Sequence, residues 1–257
     1  MAADLHSLGM SHFYVGTSGL VLPVPNKLHF PEEFRSGTRL RYYASLFNSI
    51  EVNSSFYKIP QPATFGKWAR EVPEEFRFTV KLWRGITHEK GLHFMPVDVN
   101  KFLHAAGELG KKRGCLLVQL PPGLHADKAP QLERLLERIG IADTGGGWRV
   151  AVEFRHFSWY RDETATLLER YKAGMVLHDM PGSKRETPAG RTLFIYVRYH
   201  GVNGDYKGSY TEELLLRDGR RMKSWLSEGR EVYVYFNNTI GEALLNAQAL
   251  RGMVGQL

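Results

Sequence analysis

The amino-acid sequence predicts an α/β fold, a single (β/α)8 TIM-like barrel with long loops at the C-terminal face of the strands. Eight β-rich runs alternate with helical patterns, an order typical of parallel strands joined by right-handed helical crossovers. The length of 257 residues suits eight such units. An open doubly wound sheet is the alternative, but no glycine-rich phosphate-binding turn follows an early strand.

Each element has a local signal in the sequence. Runs rich in β-branched and aromatic residues predict strands at 13–18, 49–53, 76–81, 115–120, 149–155, 174–179, 193–198 and 231–237. Apolar residues at helical spacing predict helices at 40–47, 62–72, 97–113, 130–139, 161–172, 211–228 and 240–254. Pro62 and Pro130 stand in first helical turns, and Gly140 and Gly174 follow helices as stop signals.

The predicted elements form one domain. Long loops are expected at 20–33, 81–96 and 180–192, and all three follow strands. We find no internal repeat and no interdomain linker. The sequence therefore predicts a single domain over 1–257, with a core of about 13–254 and a flexible tail at 1–12.

Composition narrows the class of protein. The chain carries 34 Lys and Arg against 27 Asp and Glu, and the net charge of +7 favours anionic partners by long-range attraction. A single cysteine excludes an internal disulfide, a cysteine-rich zinc site and a protein-held iron–sulfur cluster, and it is typical of a reducing cytoplasm. No apolar run is long enough to span a bilayer, so no membrane association is expected.

Side chains alternate between the two faces of a strand, and five strands separate apolar from polar residues in this way. In the fifth strand, Val150 and Val152 alternate with Ala151 and Glu153. The apolar set is expected to pack against the helices, and the other set to point into the barrel and its mouth. Charged residues then gather near the carboxyl ends of different strands, where barrel enzymes build their sites: Glu51, Lys81, Glu153, Arg155 and Arg198.

These five charges support two interpretations. Lys81, Arg155 and Arg198 carry three positive charges, against two negative charges on Glu51 and Glu153. The surplus favours an anionic ligand such as a phosphate or a carboxylate. In the alternative interpretation, the same residues form a self-compensating network of ion pairs that closes the top of the barrel and has only a structural role.

Four histidines follow predicted strands and have side chains suited to acid–base chemistry or metal binding. They are His88, His156, His178 and His200. With Glu51, Glu153 and Asp179 they supply enough ligands for a divalent metal ion, although no compact motif such as His-Glu-x-x-His occurs. A metal cofactor is therefore left open, and a structural hydrogen bond is the alternative role for each histidine.

Aromatic side chains also follow the strands, and beside cations they suit the stacking of a sugar or a base. An aromatic-lined pocket is expected from Phe56, Tyr57, Trp83, Trp159 and Tyr160. The residues expected to contact a substrate besides the three cations are Asn53, Tyr57, His88, Tyr235 and Asn237. Cys115 begins a strand and is expected to be an inert part of the core.

Several unusual strings occur along the chain. They are Gly16-Thr-Ser-Gly19, Phe47-Asn-Ser-Ile-Glu51, Phe78-Thr-Val-Lys81, Gln119-Leu-Pro-Pro122, Val152-Glu-Phe-Arg-His156, Tyr196-Val-Arg198 and Tyr233-x-Tyr-Phe-Asn-Asn238. In this order they resemble the family called domain of unknown function 72, the YecE-like proteins, over about residues 13–250. The resemblance implies a TIM-barrel-like fold, in agreement with the strand count, and it implies no particular activity.

The leading functional hypothesis is an enzyme that hydrolyses a phosphate ester or a phosphodiester, nucleic acid included, at the barrel top. Lys81, Arg155 and Arg198 are expected to hold the anion and to stabilise developing charge. If the charges are catalytic, Glu153→Gln and Arg198→Ala are expected to abolish activity and to leave the melting temperature nearly unchanged.

Acid–base roles and alternatives complete the hypothesis. Glu51 or Glu153 is expected to act as general base, and His200 or His178 as general acid. One alternative is an isomerase or lyase of a sugar or sugar phosphate, in which a lysine abstracts a proton or forms a Schiff base. Another is a protein that binds nucleic acid without catalysis. The expected partner is an anionic small molecule or a nucleic acid.

Overall fold

The computed structural model describes residues 12–256, so residues 1–11 of the expected tail lie outside the described part. The strands are β1 (Phe13–Thr17), β2 (Ser49–Val52), β3 (Arg77–Lys81), β4 (Arg113–Gln119), β5 (Arg149–Glu153), β6 (Gly174–Met175), β7 (Leu177–His178), β8 (Phe194–Tyr199) and β9 (Glu231–Phe236). The helices are α1 (Arg39–Leu46), α2 (Ser54–Tyr57), α3 (Pro62–Glu71), α4 (Arg84–Thr87), α5 (Pro96–Gly107), α6 (Ala129–Ala142), α7 (Asp162–Arg170), α8 (Glu212–Ser227) and α9 (Ala243–Gln256).

Two helices begin at residues that favour a helix start. The Thr38 side chain accepts a hydrogen bond from the backbone N–H of Arg41 at the start of α1, and Pro62 occupies the first turn of α3. One helix is shorter than predicted. The helix expected at 97–113 ends at Gly107, because Gly110 adopts a left-handed conformation with φ of 57° and the chain turns there into β4.

All strand pairs among the described residues are parallel, and they form two sheets with the orders β2-β3-β4-β5-β6 and β1-β9-β8-β7. The strand expected at 174–179 is divided, because β6 pairs with β5 whereas β7 pairs with β8. Between them, the Val176 N–H donates to the Val152 carbonyl at 2.9 Å. At the other edge, the Gly19 N–H donates to the Glu51 carbonyl at 2.8 Å. The predicted α/β class with parallel strands is confirmed.

The alternation of side chains separates two buried clusters, as predicted. Ile195 and Val197 belong to the cluster between the sheets and the helices. Phe194 and Tyr196, their neighbours on β8, belong to an inner cluster that strands of both sheets share. Cys115 lies in this inner cluster, fully buried, and burial raises the pKa of its thiol well above the usual value, so it is inert core as expected.

None of the helices within residues 12–256 combines the length and the apolar character needed to cross a lipid bilayer.

Candidate functional site

One guanidinium joins the carboxyl ends of three strands. Arg198 of β8 donates from Nε and Nη2 to the two carboxylate oxygens of Glu51 on β2, at 2.8 and 2.7 Å. Its Nη1 donates to Oε2 of Glu153 on β5 at 2.6 Å. The three side chains are almost completely buried. The structure therefore brings together three of the five predicted charges in a single hydrogen-bonded cluster.

Every oxygen of the Glu51 carboxylate is occupied. Besides the two bonds from Arg198, Oε1 accepts from the Ser18 hydroxyl at 2.6 Å and Oε2 accepts from the Tyr196 hydroxyl. Burial disfavours the charged form, but Arg198 and the two hydroxyl donors outweigh it and hold the pKa of Glu51 below its usual value. Glu51 is thus an ionised, fully bonded carboxylate with no access to solvent.

Glu153 and Arg155 form the second part of the cluster. The Arg155 Nε donates to Oε1 of Glu153, and its Nη2 lies 3.1 Å from Nε2 of His200. Burial opposes ionisation of Glu153, but Arg155 and Arg198 outweigh burial and keep its pKa well below the usual range. Arg155 is only partly buried, with about 10% of its side chain exposed, so it carries positive charge from the cluster toward the surface.

Asp179 adds a third carboxylate that the charge count from the sequence did not include. Its Oδ1 accepts from the His200 backbone N–H at 2.7 Å and lies 3.2 Å from His200 Nδ1, and the Tyr210 hydroxyl donates to Oδ2. Burial opposes ionisation, but these hydrogen bonds keep the pKa of Asp179 below its usual value. With Asp179 counted, the site holds three carboxylates as well as three cations, so the surplus of one positive charge expected from the sequence is not found.

His200 is buried between Asp179 and the two arginines. Burial lowers its pKa, so the ring is neutral at pH 7. Its Nδ1 faces Asp179, and its Nε2 lies 3.1 Å from Nη1 of Arg198 as well as near Arg155. A neutral ring that donates through Nδ1 and accepts through Nε2 satisfies both sides. The geometry makes His200 a link that orients the guanidinium groups.

Lys81 differs from the other cations of the site. Its Nζ donates to Oε1 of Gln119 at 2.6 Å and lies 4.0 Å from the ring centre of Phe56. In the described part of the chain no carboxylate lies within ion-pair distance of it. Burial, and then the charge of Arg198, lower the pKa of Lys81 to about 8. The amine is therefore partly neutral near physiological pH.

A cavity of about 180 Å³ opens above this lysine, and we call it the Lys81 cavity. Its lining is formed by Asn53, Phe56, Tyr57, Lys81, Gln119, Arg155, Arg198, Tyr206 and Asn237. The Oδ1 atom of Asn53 is buried there and has no hydrogen-bond partner among the described residues. A buried carbonyl oxygen without a partner favours a ligand that brings a donor. Besides Asn53, the structure thus brings five of the residues predicted to contact a substrate to one opening, namely Tyr57, Lys81, Arg155, Arg198 and Asn237.

Two of the predicted histidines face the protein instead of the cavity. His178 Nε2 lies 3.0 Å from the Phe154 carbonyl, and its Nδ1 accepts from the Met180 N–H at 3.3 Å. Burial lowers the pKa of His178 to about 4, so it is neutral with both nitrogens engaged. His156 stacks on His125 with ring centres 3.8 Å apart. His178 and His156 therefore make structural contacts.

The predictions for two aromatic residues are wrong, because both side chains are buried in the protein interior. Tyr235, which the sequence placed among the substrate contacts, is fully buried, and its hydroxyl bonds to Ser49 at 2.6 Å and Thr79 at 2.8 Å. Trp159, expected to line a pocket, is also fully buried and donates to the Leu124 carbonyl. Both side chains lie inside the protein, so neither is placed to contact a ligand.

Sequence reasoning missed two residues of the site. Gln119 accepts a hydrogen bond from Lys81 and lines the Lys81 cavity, and the Ser18 hydroxyl donates to Glu51. Gln119 ends β4 and Ser18 directly follows β1, and each lies in one of the unusual strings, Gln119-Leu-Pro-Pro122 and Gly16-Thr-Ser-Gly19. Their position at the carboxyl ends of strands could have identified them as site residues. Tyr206 follows Arg198 and His200 in a glycine-containing loop, a pattern that suits the stacking of a sugar or a base, and it lines the Lys81 cavity.

A divalent metal does not fit the described residues. No group of three or more His, Cys, Asp or Glu side chains within 12–256 is arranged to hold an ion. The physical reason is that Glu51 and Glu153 already accept hydrogen bonds from arginines, whose positive charge would repel a cation. The metal considered from the sequence therefore has no ligand set in this cluster.

Parallel strands, with charged residues gathered at their carboxyl ends, define the general class of this protein as an α/β protein. The family described as protein of unknown function DUF72 matches residues 14–257, and the chain belongs to this family. The resemblance to the YecE-like proteins is thereby confirmed.

Curated relatives carry names without an activity. The chain is 25% identical to UPF0759 protein YunF of Bacillus subtilis (strain 168) over 253 residues, which cover 82% of this chain and 84% of YunF. It is 30% identical to UPF0759 protein YecE of Escherichia coli (strain K12) over 127 residues, 49% of this chain and 45% of YecE.

Solved structures share the fold. A DUF72 family protein from Thermotoga maritima MSB8 aligns with a TM-score of 0.73 at 28% identity, covering 94% of this chain and 98% of that one. A DUF72 family protein from Enterococcus faecalis V583 aligns with a TM-score of 0.75 at 21% identity, covering 94% and 97%. SacUVDE aligns with a TM-score of 0.57 at 11% identity, covering 95% and 97%, a likeness of fold alone.

Proposed function

We propose that this protein is an enzyme that hydrolyses a phosphate ester or a phosphodiester in the Lys81 cavity. The observation that carries the proposal is that Lys81 and Arg155 line one cavity together with the side-chain amides of Asn53, Gln119 and Asn237. Lysine and arginine donors are the groups that bind phosphoryl oxygens, and amides suit the hydroxyls of the esterified alcohol.

The reaction needs few reacting groups from the protein. Phosphoryl transfer passes through a loose transition state, so catalysis rests mainly on positioning and on electrostatic stabilisation. Arg155 would bind two phosphoryl oxygens and stabilise their charge. Water would attack the phosphorus atom while the P–O bond to the alcohol breaks. Lys81 in its ammonium form would donate a proton to the leaving alcohol oxygen, a role for which a pKa of about 8 is suitable, and the proton released from the attacking water would restore the ammonium form.

We propose that Glu51, Glu153 and His200 are positioning residues, although the sequence suggested acid–base roles for them. Glu51 has no free oxygen, and Glu153 is bonded to both arginines. His200 accepts from a guanidinium through the nitrogen that would otherwise face a substrate. Their shared task would be to hold Arg198 in place and to direct Arg155 into the cavity.

We also propose that the two sheets close into one eight-stranded (β/α)8 barrel that forms a single domain. The support is the backbone bond from Gly19 to Glu51 at one junction and the continuous chain from β6 to β7 at the other. Closure would explain why strands of both sheets share the inner cluster.

The test is a hydrolysis assay with p-nitrophenyl phosphate, bis(p-nitrophenyl) phosphate and a single-stranded oligonucleotide, each with and without added divalent metal. Lys81→Met is expected to lower kcat at least about 100-fold, the scale of losing a general acid. Lys111→Met, at the opposite ends of the strands, is the matched control and should leave activity unchanged. Turnover that survives Lys81→Met, or no turnover of any substrate by the wild type, contradicts the proposal.

One observation favours a second candidate, an isomerase or lyase of a phosphorylated sugar. An amine with a pKa of about 8 is partly neutral at pH 7, and a neutral amine adds to carbonyl carbons. Lys81 would add to the carbonyl, and loss of water would leave an imine. Glyceraldehyde 3-phosphate with borohydride distinguishes the candidates, because trapping at Lys81 requires the imine and hydrolysis does not.

A further inference from the structure

A second and larger cavity, of about 590 Å³, opens beside the Lys81 cavity. We call it the Trp83 cavity, and the lining residues that matter here are Tyr57, Trp83, Arg84, His88, Met95 and Asp98. Tyr57 lines both cavities. Its side chain is 69% exposed, and few other aromatic side chains among the described residues are exposed to solvent. The two openings are therefore neighbours that share one wall.

The shared wall is aromatic. The Phe56 ring has the Lys81 ammonium 4.0 Å from its centre, and its contact with the His88 ring is edge-to-face at 4.9 Å. Tyr57 packs edge-to-face on Phe56 at 5.2 Å. A ligand that crosses from one cavity to the other thus passes from a cation to three aromatic rings within a few ångströms.

Trp83 is held over the backbone by a glycine. A Cβ added at Gly85 would lie 2.4 Å from Cη2 of the Trp83 indole, so the six-membered ring rests directly on this residue. Any larger residue at 85 would push the indole away. The Trp-x-Gly sequence after β3 therefore determines where the indole lies.

The polar groups of the Trp83 cavity include both hydrogen-bond donors and hydrogen-bond acceptors. Arg84 offers donors and Asp98 offers acceptors. Burial, and then the charges of Lys81 and Arg84, lower the pKa of His88 to about 4, so this ring is neutral at pH 7. A planar ring with donors and acceptors on its edge matches these surroundings better than an alkyl chain, which would leave them unpaired.

We propose that the Trp83 cavity holds a heteroaromatic ring, so that the substrate is a phosphate ester of a nucleoside-like alcohol. This inference rests on the proposed phosphate site. The phosphoryl group lies at Lys81 and Arg155, and the ring lies against Tyr57 and Trp83. Stacking on aromatic side chains is the general way in which proteins hold such rings without reading their identity.

The test is isothermal titration calorimetry with three probes: AMP, ribose 5-phosphate and inorganic phosphate. AMP is expected to bind about tenfold or more tightly than ribose 5-phosphate, the ratio that stacking of one base supplies. Trp83→Ala should reduce this ratio and leave the affinity for inorganic phosphate unchanged, because Trp83 does not line the Lys81 cavity. Tyr57→Ala should also reduce the ratio. Gly85→Ala should act in the same direction by displacing the indole. Trp225→Ala, outside both cavities, is the matched control.

The outcomes separate this inference from the proposed function. Equal affinities for AMP and ribose 5-phosphate, both lost in Lys81→Met, overturn the aromatic subsite and leave the phosphate site standing. An AMP advantage that persists in both Trp83→Ala and Tyr57→Ala also overturns the subsite. No binding of any of the three probes by a folded wild type overturns the proposed function itself.

Discussion

Arg198 and Glu51 form a bidentate salt bridge between residues 147 positions apart in the sequence, with both N···O distances below 3 Å. Both side chains are inaccessible to solvent. Because the same guanidinium also binds Glu153, it compensates two buried carboxylates at once. The positive charge of Arg198 is therefore needed for the stability of the folded protein, and it also belongs to the candidate site.

Removal of Arg198 should destabilise the protein severely. In Arg198→Ala, two buried carboxylates lose their common partner, and the free energy of unfolding is expected to fall by about 3–5 kcal/mol, measured by urea denaturation. This differs from the expectation based on the sequence, which had the melting temperature nearly unchanged. Arg170→Ala removes a largely exposed pair with Glu133 and should cost less than about 1 kcal/mol. Equal losses in the two variants would contradict the structural role.

Stability should depend on pH through His178. Burial lowers its folded pKa to about 4 from the usual 6.5, so the unfolded chain binds a proton between these values and the folded protein does not. Stability is therefore expected to fall as the pH drops from about 6.5 to 4, with up to about 1.4 kcal/mol per pH unit from this group.

The measurement is urea denaturation at several pH values above 5, before the carboxylates titrate. His178→Gln keeps a donor toward the Phe154 carbonyl and should flatten the slope. His104→Gln, at an exposed helical position, controls for the loss of a histidine. Identical slopes in the wild type and His178→Gln would show that His178 does not bind a proton on unfolding.

The amine of Lys81 should titrate near pH 8. Its NMR signal, assigned by its loss in Lys81→Met, is expected to show this midpoint because burial and the neighbouring arginines disfavour the ammonium form. Arg155→Gln removes one like charge and should raise the midpoint. A wild-type midpoint near the usual 10.5, or a lower midpoint in Arg155→Gln, would be inconsistent with this environment.

The junction between β1 and β2 should tolerate no side chain at position 16. A Cβ on Gly16 would lie 2.0 Å from the Ser49 carbonyl oxygen and 2.7 Å from the Tyr43 hydroxyl, so the backbones must separate. Gly16→Ala is expected to cost about 1–3 kcal/mol of unfolding free energy. Gly107→Ala in α5 meets nothing within 4 Å and should be neutral or stabilising by up to about 1 kcal/mol. Equal stabilities of the two variants would argue against a close approach of these strands.

The sequence by itself determined which strand residues point inward and which side of the sheets carries the charges. A strand has a period of two, so once Ile195 and Val197 are assigned to the helices, Tyr196 and Arg198 must face the other way. Parallel strands also place all their carboxyl ends on one side. Gln119 was within reach of the same argument, since it ends β4 next to Glu153 of β5.

Only the tertiary structure decided how deeply each side chain is buried and which residues it contacts. Tyr235 in β9 and Asn237, which follows the last residue of β9, are two positions apart, yet Tyr235 lies buried under the site and Asn237 lines the Lys81 cavity. Alternation does not distinguish them, because height depends on the register between strands that are distant in the sequence. Asp179 likewise joins the cluster through His200, a contact between two loop residues that no strand period predicts. Because of this contact, the site holds as many carboxylates as cations.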